Sequence, residues 1–335
     1  MKNHKVVPVY FPSTVVVLDD DELFLNSVPK ILENHTIYQL FTSPQQAYDF
    51  LEKSSAKTFL DNENYSLSYE AVDGVSIDVD IDALHKKIYD ADRAAIVSVI
   101  IADYSMPEMN GVEFFKKIQH LGAKKILLTG IADEATAIEA FNNGIIDKFI
   151  RKSDANADKL INQFVEELGV KYFHDELQNI LNVLKTVNNY PYFDDKFSAL
   201  FFDKIKENDI VEGYLLNEEG DFLLLDADGK EFIFIVKNQN DLNSYIDIAD
   251  DSDAPEDIVR ELRSGKKVPF FENKQEFSRV SGDKWKQHVF EAEKVRGEKC
   301  DYFFALIGNH RPYKKDGFIS HNDYVNSRWK LIHTL

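Results

Sequence analysis

Short apolar runs recur through the first 155 residues, each followed by a stretch of helical periodicity, and this alternation constrains the fold most tightly. Residues 15–18, 36–41, 97–102, 125–129 and 148–151 read as strands. Helices are predicted from Asp21 to about Leu32, from Ser43 (a suitable N-cap) to Lys53, from Gly111 to His120 and from Glu134 to Asn142. Runs such as Val15-Val16-Val17-Leu18 suit strands buried on both faces. Repeated strand–helix units imply a doubly wound α/β fold, a five-stranded parallel sheet with helices on both sides. In such sheets ligands sit beyond the carboxyl ends of the strands, where strand order reverses.

The residues at those ends carry chemistry. The first strand runs into Asp19-Asp20-Asp21-Glu22, where each carboxylate raises its neighbours' pKa unless something offsets the charge. Asp103 follows the third strand, in Ile101-Ala102-Asp103-Tyr104-Ser105-Met106-Pro107-Glu108-Met109-Asn110-Gly111. Thr129 closes the fourth strand, and Gly130 beside it leaves room for a ligand. Lys152 closes the fifth. All four features lie on one rim of the sheet. Asp21 and Glu22 stand where the next helix begins, so they read as a cap and a dipole partner.

This constellation resembles the receiver domain of two-component response regulators, over about residues 15–163. The resemblance implies strand order 2-1-3-4-5, which brings Asp19, Asp20 and Asp103 into one pocket. It makes Asp103 the phosphoacceptor, a nucleophile that forms an acyl phosphate. Mg²⁺ is the expected cofactor, held by Asp19, Asp20, Asp103 and the backbone carbonyl of Ser105. Such a hard cation prefers a few carboxylates and waters. Lys152 would meet a phosphoryl oxygen, and Thr129 would donate its hydroxyl and start the switch. Phe149 matches the aromatic that swings inward on activation. A sensor histidine kinase or phosphotransfer protein would supply the phosphoryl group. Three departures stand out: Ser153 replaces the proline that usually follows the lysine, one extra residue precedes Lys152, and the Asp20-to-Asp103 spacing is unusually long.

The excess spacing falls at 54–95, read as an insertion in a receiver spanning 1–155. Asp78-Val79-Asp80-Ile81-Asp82 begins like a calcium loop, but Ala83 and Tyr89 replace the required Gly and Glu, so it reads as solvated. From about 155 to 187 apolar residues keep helical spacing, which predicts one long connecting helix, a dimerisation element at 156–189, with Gly169 as the place to kink. Residues 190–335 read as a smaller α+β output domain of unidentified type. Glycine-bearing turns link strands at 214–216, 222–225 and 232–236 into an antiparallel meander. Helices are expected near Asp253 and at 283–295, and a strand at 302–307. His174-Asp175 copies a phosphohydrolase doublet without that class's other ligands, so it reads as coincidence.

The formal charge of −19 opposes wholesale nucleic-acid binding. Only the basic C-terminal segment, with His310, Arg311, Lys314, Lys315, His321, Arg328 and Lys330, offers a polyanion a face. No apolar run is long enough for a membrane span, and the single cysteine, Cys300, excludes an internal disulfide. A cytoplasmic protein is expected. An enlarged receiver, a long helix and a non-standard output also resemble the Legionella-type quorum-sensing response regulators. That likeness implies a homodimeric regulator of gene expression, and with no recognisable catalytic motif in residues 190–335 the chain reads as a phosphoacceptor rather than an enzyme. An output domain that is an enzyme or nucleotide sensor, or a constitutive interaction scaffold, are the rival readings.

Overall fold

The computed structural model describes residues 6–33, 35–55, 65–70, 74–79, 88, 90, 92–130, 133–185, 190–272, 274–308 and 318–332. A two-residue strand, β1 (Val9–Tyr10), precedes β2 (Thr14–Leu18), α1 (Glu22–Ile31), β3 (Ile37–Phe41) and α2 (Pro44–Ser55). Part of the expected insertion is an antiparallel hairpin of β4 (Tyr65–Glu70) and β5 (Gly74–Val79). Next come β6 (Val97–Asp103), α3 (Gly111–Lys117), β7 (Lys124–Thr129), α4 (Glu134–Asn142), β8 (Lys148–Arg151) and α5 (Ala157–Glu176). Most of the calcium-like string, and residues 309–317 of the basic segment, lie outside the described residues.

The chain divides into two compact units, one of residues 10–63, 87–178 and 317–335, the other of 1–9, 64–86 and 179–316. In the first unit, parallel strands run in the order β3-β2-β6-β7-β8, the expected 2-1-3-4-5. The two-faced burial of β2 follows from its period of two. Val15 and Val17 join Ile101, Leu128 and Ile161 in one core. Val16 and Leu18 join Ile100, Leu127 and Phe115 in the other. Each such side chain stabilises the fold by about 1.5–3 kcal/mol relative to exposure.

These units differ from boundaries at 155 and 189. Ile161 and Leu168 of α5 are buried in the core that holds Val15, so this helix is part of the first unit's packing. The predicted 33-residue helix is two helices: α5 continues through Gly169 and ends at Leu177, and α6 (Gln178–Leu184) follows. Leu177, Ile180, Leu181 and Leu184 are all buried, so the apolar spacing persists across a break that periodicity alone does not reveal. His174-Asp175 has a structural role, since Asp175 pairs with Lys124 at 2.7 Å.

The C-terminal segment also belongs to the first unit. Arg93, buried, donates from Nη2 to the Ile319 carbonyl at 2.7 Å. Ser320 heads α11 (His321–Ile332), and Tyr324 packs with Ile37 and Ala94.

In the second unit, α7 (Asp195–Glu207) precedes β9 (Ile210–Leu215), β10 (Phe222–Asp226) and β11 (Glu231–Asn238), the expected meander. Then come α8 (Gln239–Asp251), α9 (Glu256–Arg263), β12 (Lys267–Pro269), α10 (Lys274–Arg279), β13 (Val289–Glu291), β14 (Glu293–Arg296) and β15 (Asp301–Gly308). The meander extends into a six-stranded sheet, β1-β9-β10-β11-β15-β14. The helix expected at 283–295 is instead a 3-10 turn, Gly282–Gln287, followed by β13 and β14. Trp285 and Val289 are four residues apart and both buried, which mimics a helical face. Val289, however, pairs across strands with Pro269.

Candidate phosphorylation site

The four carboxyl ends of β2, β6, β7 and β8 meet at one edge, and the residues after them form the site. Asp19 is fully buried and Asp20 exposed. The backbone amide of Asp21 donates to Asp19 Oδ1 at 3.0 Å, while Asp21 Oδ1 accepts from Leu23 N at 2.9 Å and caps α1. The acid run therefore divides as expected, Asp19 inward and Asp21 into the cap.

Asp103 ends β6 and is 6% exposed. Its Oδ2 accepts from the Ser105 amide at 2.9 Å. After it the chain turns tightly: Gly111 N donates to the Tyr104 carbonyl at 3.0 Å, and a Cβ on Gly111 would collide with the Asp103 backbone carbonyl. Asn110 and Glu113 form a capping box at the start of α3. The Asn-Gly pair thus has a physical reason, a cap followed by a residue without a side chain.

Carboxylate oxygens of Asp19, Asp20 and Asp103 lie within 4.8 Å of one another. Such a set suits a hard divalent cation. Asp19 Oδ2 supports that fit, since among the described residues it is buried without an aligned hydrogen-bond donor and faces the Lys152 ammonium. Lys152 Nζ lies 2.6 Å from Asp19 Oδ2 and 2.6 Å from Asp103 Oδ1. Burial pushes the Asp19 carboxyl above its ordinary pKa, with Lys152 opposing the shift. Burial alone would lower Lys152, but its pairing with the two carboxylates outweighs it and raises the ammonium's pKa.

Thr129 is fully buried and its hydroxyl has no partner among the described residues, an arrangement that costs about 1–3 kcal/mol. The Thr129 carbonyl accepts from Lys152 N at 3.0 Å, which sets the end of β8 beside that of β7. Among the described residues there is no cis peptide bond. The turn after Lys152 closes instead by Asp154 N donating to the Arg151 carbonyl at 3.0 Å. Phe149 is half-buried, its ring 6.4 Å from that of the exposed Phe141.

The structure thus brings Asp19, Asp20, Asp103, the Ser105 amide and Lys152 together, with Thr129 on the adjacent strand and Phe149 three residues before Lys152 on β8. Two neighbours escape a motif-based reading. The Lys152 ammonium sits over the ring of Phe24, 4.9 Å from its centroid. The Asp133 carboxylate lies where Gly130 has no side chain, 3.2 Å from an ideal Cβ.

This sheet order, with three clustered aspartates and a lysine at its rim, defines a receiver. Residues 79–164 match the response regulator receiver domain family. The chain belongs to the response regulators. Over 96% of its length it is 31% identical to the Legionella pneumophila response regulator LqsR, covers 96% of that chain, and superposes with a TM-score of 0.81. It is also 26% identical over 180 residues to the transcriptional regulatory protein CrdR of Helicobacter pylori, spanning 49% of this chain and 78% of that one. Both resemblances read from the sequence are borne out. No described helix is long and apolar enough to cross a membrane.

Proposed function

We propose that the protein is a phosphorylation-controlled regulator in which Asp103 accepts a phosphoryl group in a Mg²⁺-dependent reaction. The convergence of the Asp19, Asp20 and Asp103 carboxylates within 4.8 Å, with Lys152 ion-paired to Asp19 and Asp103, carries this reading. Asp103 would attack phosphorus with a carboxylate oxygen as the donor's bond to phosphorus breaks, and the electron pair of that bond leaves with the donor group. Asp19, Asp20, Asp103 and the Ser105 carbonyl would hold Mg²⁺, which when bound neutralises charge on the transferring group. Lys152 moves from paired carboxylates to a phosphoryl oxygen without leaving the pocket. The Thr129 hydroxyl finds in that phosphoryl group the acceptor it lacks among the described residues, and its shift, with Phe149, biases a two-state receiver.

A sensor histidine kinase or phosphotransfer protein would supply the phosphoryl group, and the output unit would act in gene regulation, with quorum sensing the fitting context given the likeness to LqsR. Homodimerisation and a cytoplasmic location complete the reading. The test is labelling of the full chain by acetyl phosphate with Mg²⁺. Labelling of wild type that is abolished in Asp103→Asn supports it; equal labelling of the variant refutes it.

A further inference from the structure

We propose that Phe24 is a positioning residue of the phosphorylation site, holding the Lys152 ammonium over the carboxylate rim with its ring face. The proposal rests on the phosphorylation reading for its kinetic consequence, but not for the contact itself. Lys152 Nζ lies 4.9 Å from the ring centroid, inside the roughly 6 Å range in which a cation is drawn to an aromatic face. The same ammonium touches Asp19 and Asp103 at 2.6 Å each, so three groups define its place.

The ring is itself well fixed. Phe24 is half-buried in the first turn of α1 and packs against the core of Val17, Val28 and Ile101. The start of that helix is tied to the site, because the Asp21 amide binds Asp19 while the Asp21 side chain caps the helix. The helix therefore carries its aromatic to the pocket in a register set by a site carboxylate.

Core packing alone does not ask for an aromatic here. An aliphatic side chain would close the edge of the Val17, Val28 and Ile101 core, and the neighbouring Leu23 is 81% exposed. What the ring adds is a negative face toward an ammonium whose side chain is still 31% exposed. It replaces water on one flank of the amine and so opposes the swing of a flexible four-carbon stem into solvent. That matters most during phosphorylation, when a divalent cation competes for Asp19 and Asp103 and loosens two of the three contacts. The ring is then the contact that keeps Lys152 where the phosphoryl oxygen arrives.

The decisive measurement replaces Phe24 in the full chain by mono-, di- and trifluorophenylalanine, which keep its size and drain its ring face. Initial rates of acetyl phosphate labelling with Mg²⁺ should fall stepwise with each fluorine, and Phe24→Leu should be about threefold to tenfold slower. Thermal midpoints should stay constant across the series. A second readout needs no phosphorylation: acetylation of Lys152 by acetic anhydride, followed by mass spectrometry, should quicken along the same series relative to exposed lysines. Rates and acetylation both indifferent to fluorination would overturn the proposal. Wild-type chain that takes no label would defeat the phosphorylation reading alone, and the acetylation series would still decide the role of Phe24.

Discussion

Lys152 Nζ lies 2.6 Å from Asp103 Oδ1 while also touching Asp19, so in this state the lysine occupies the charge-neutralising place that a divalent cation would take. The two cations compete, since at such distances like charges repel by about 1–4 kcal/mol. In Lys152→Ala, Mg²⁺ should bind about tenfold more tightly, measured by titration calorimetry on the full chain. Without metal the variant should be destabilised, by about 3 kcal/mol, because Asp19 is left buried and unpaired. Added Mg²⁺ should restore most of that loss. Unchanged Mg²⁺ affinity would show that Lys152 does not compete for the site.

Thr129 supplies a prediction of opposite sign. Its buried hydroxyl has no partner among the described residues, so Thr129→Val removes a desolvated polar group at nearly constant volume. The resting protein should gain about 1 kcal/mol in urea unfolding. Beryllofluoride with Mg²⁺ should raise the thermal midpoint of wild type and of Thr129→Ser, but far less that of Thr129→Val. A valine variant as responsive as wild type would remove the hydroxyl from the switch.

Most of the receiver was legible because its chemistry sits at the ends of apolar runs, and period two or 3.6 places those ends on one rim. Asp19, Asp20, Asp103 and Lys152 came together as the strand order required, and Asp21 became the cap. Phe24 was not legible, because its role depends on where α1 leans, which no spacing encodes. The break at Leu177 was hidden for a related reason: the buried leucines beyond it keep the same spacing. In the second unit, Trp285 and Val289 imitated a helix because a buried aromatic before a strand produces the same four-residue interval. Helices α7 and α8 went unread although each opens on an Asp or Asn cap, Asp194 and Asn238.

Asp241 gives the second unit a pH signature. It closes the capping box at the start of α8, its Oδ2 accepting from Asn238 N at 2.8 Å. Burial pushes its carboxyl up to about 6, with Glu219 and Asp221 adding to the rise and Asn238 and Lys237 opposing it. The fold thus favours the protonated form. This contribution is complete below the unfolded pKa near 4 and is lost as pH rises to about 6. Asp241→Asn should flatten that part of the profile, so variant minus wild-type stability should increase from pH 4 to 7 by about 1 kcal/mol after solvent screening. Urea midpoints of both proteins across that range decide it; a parallel pair of curves would refute the assignment.

The C-terminal segment should prove part of the receiver's fold rather than an appendage of the second unit. Arg93 is buried against it, donating to the Ile319 carbonyl at 2.7 Å and lying 5.3 Å from the Phe318 ring. His321 Nε2 meets the His35 carbonyl at 2.8 Å, and Tyr324 covers Ile37 and Ala94. Removing residues 317–335 exposes these apolar groups and strips Arg93 of one carbonyl, a combination worth several kcal/mol. The truncated chain should lose about 3 kcal/mol in urea unfolding, with hydrogen exchange quickening first in β3 and around Arg93. Arg93→Met should speed amide exchange across residues 318–324 yet leave the Asp19–Lys152 pair intact, since that pair sits at the opposite ends of the strands. A truncation that leaves β3 protected would show that the segment only rests on the receiver without stabilising it.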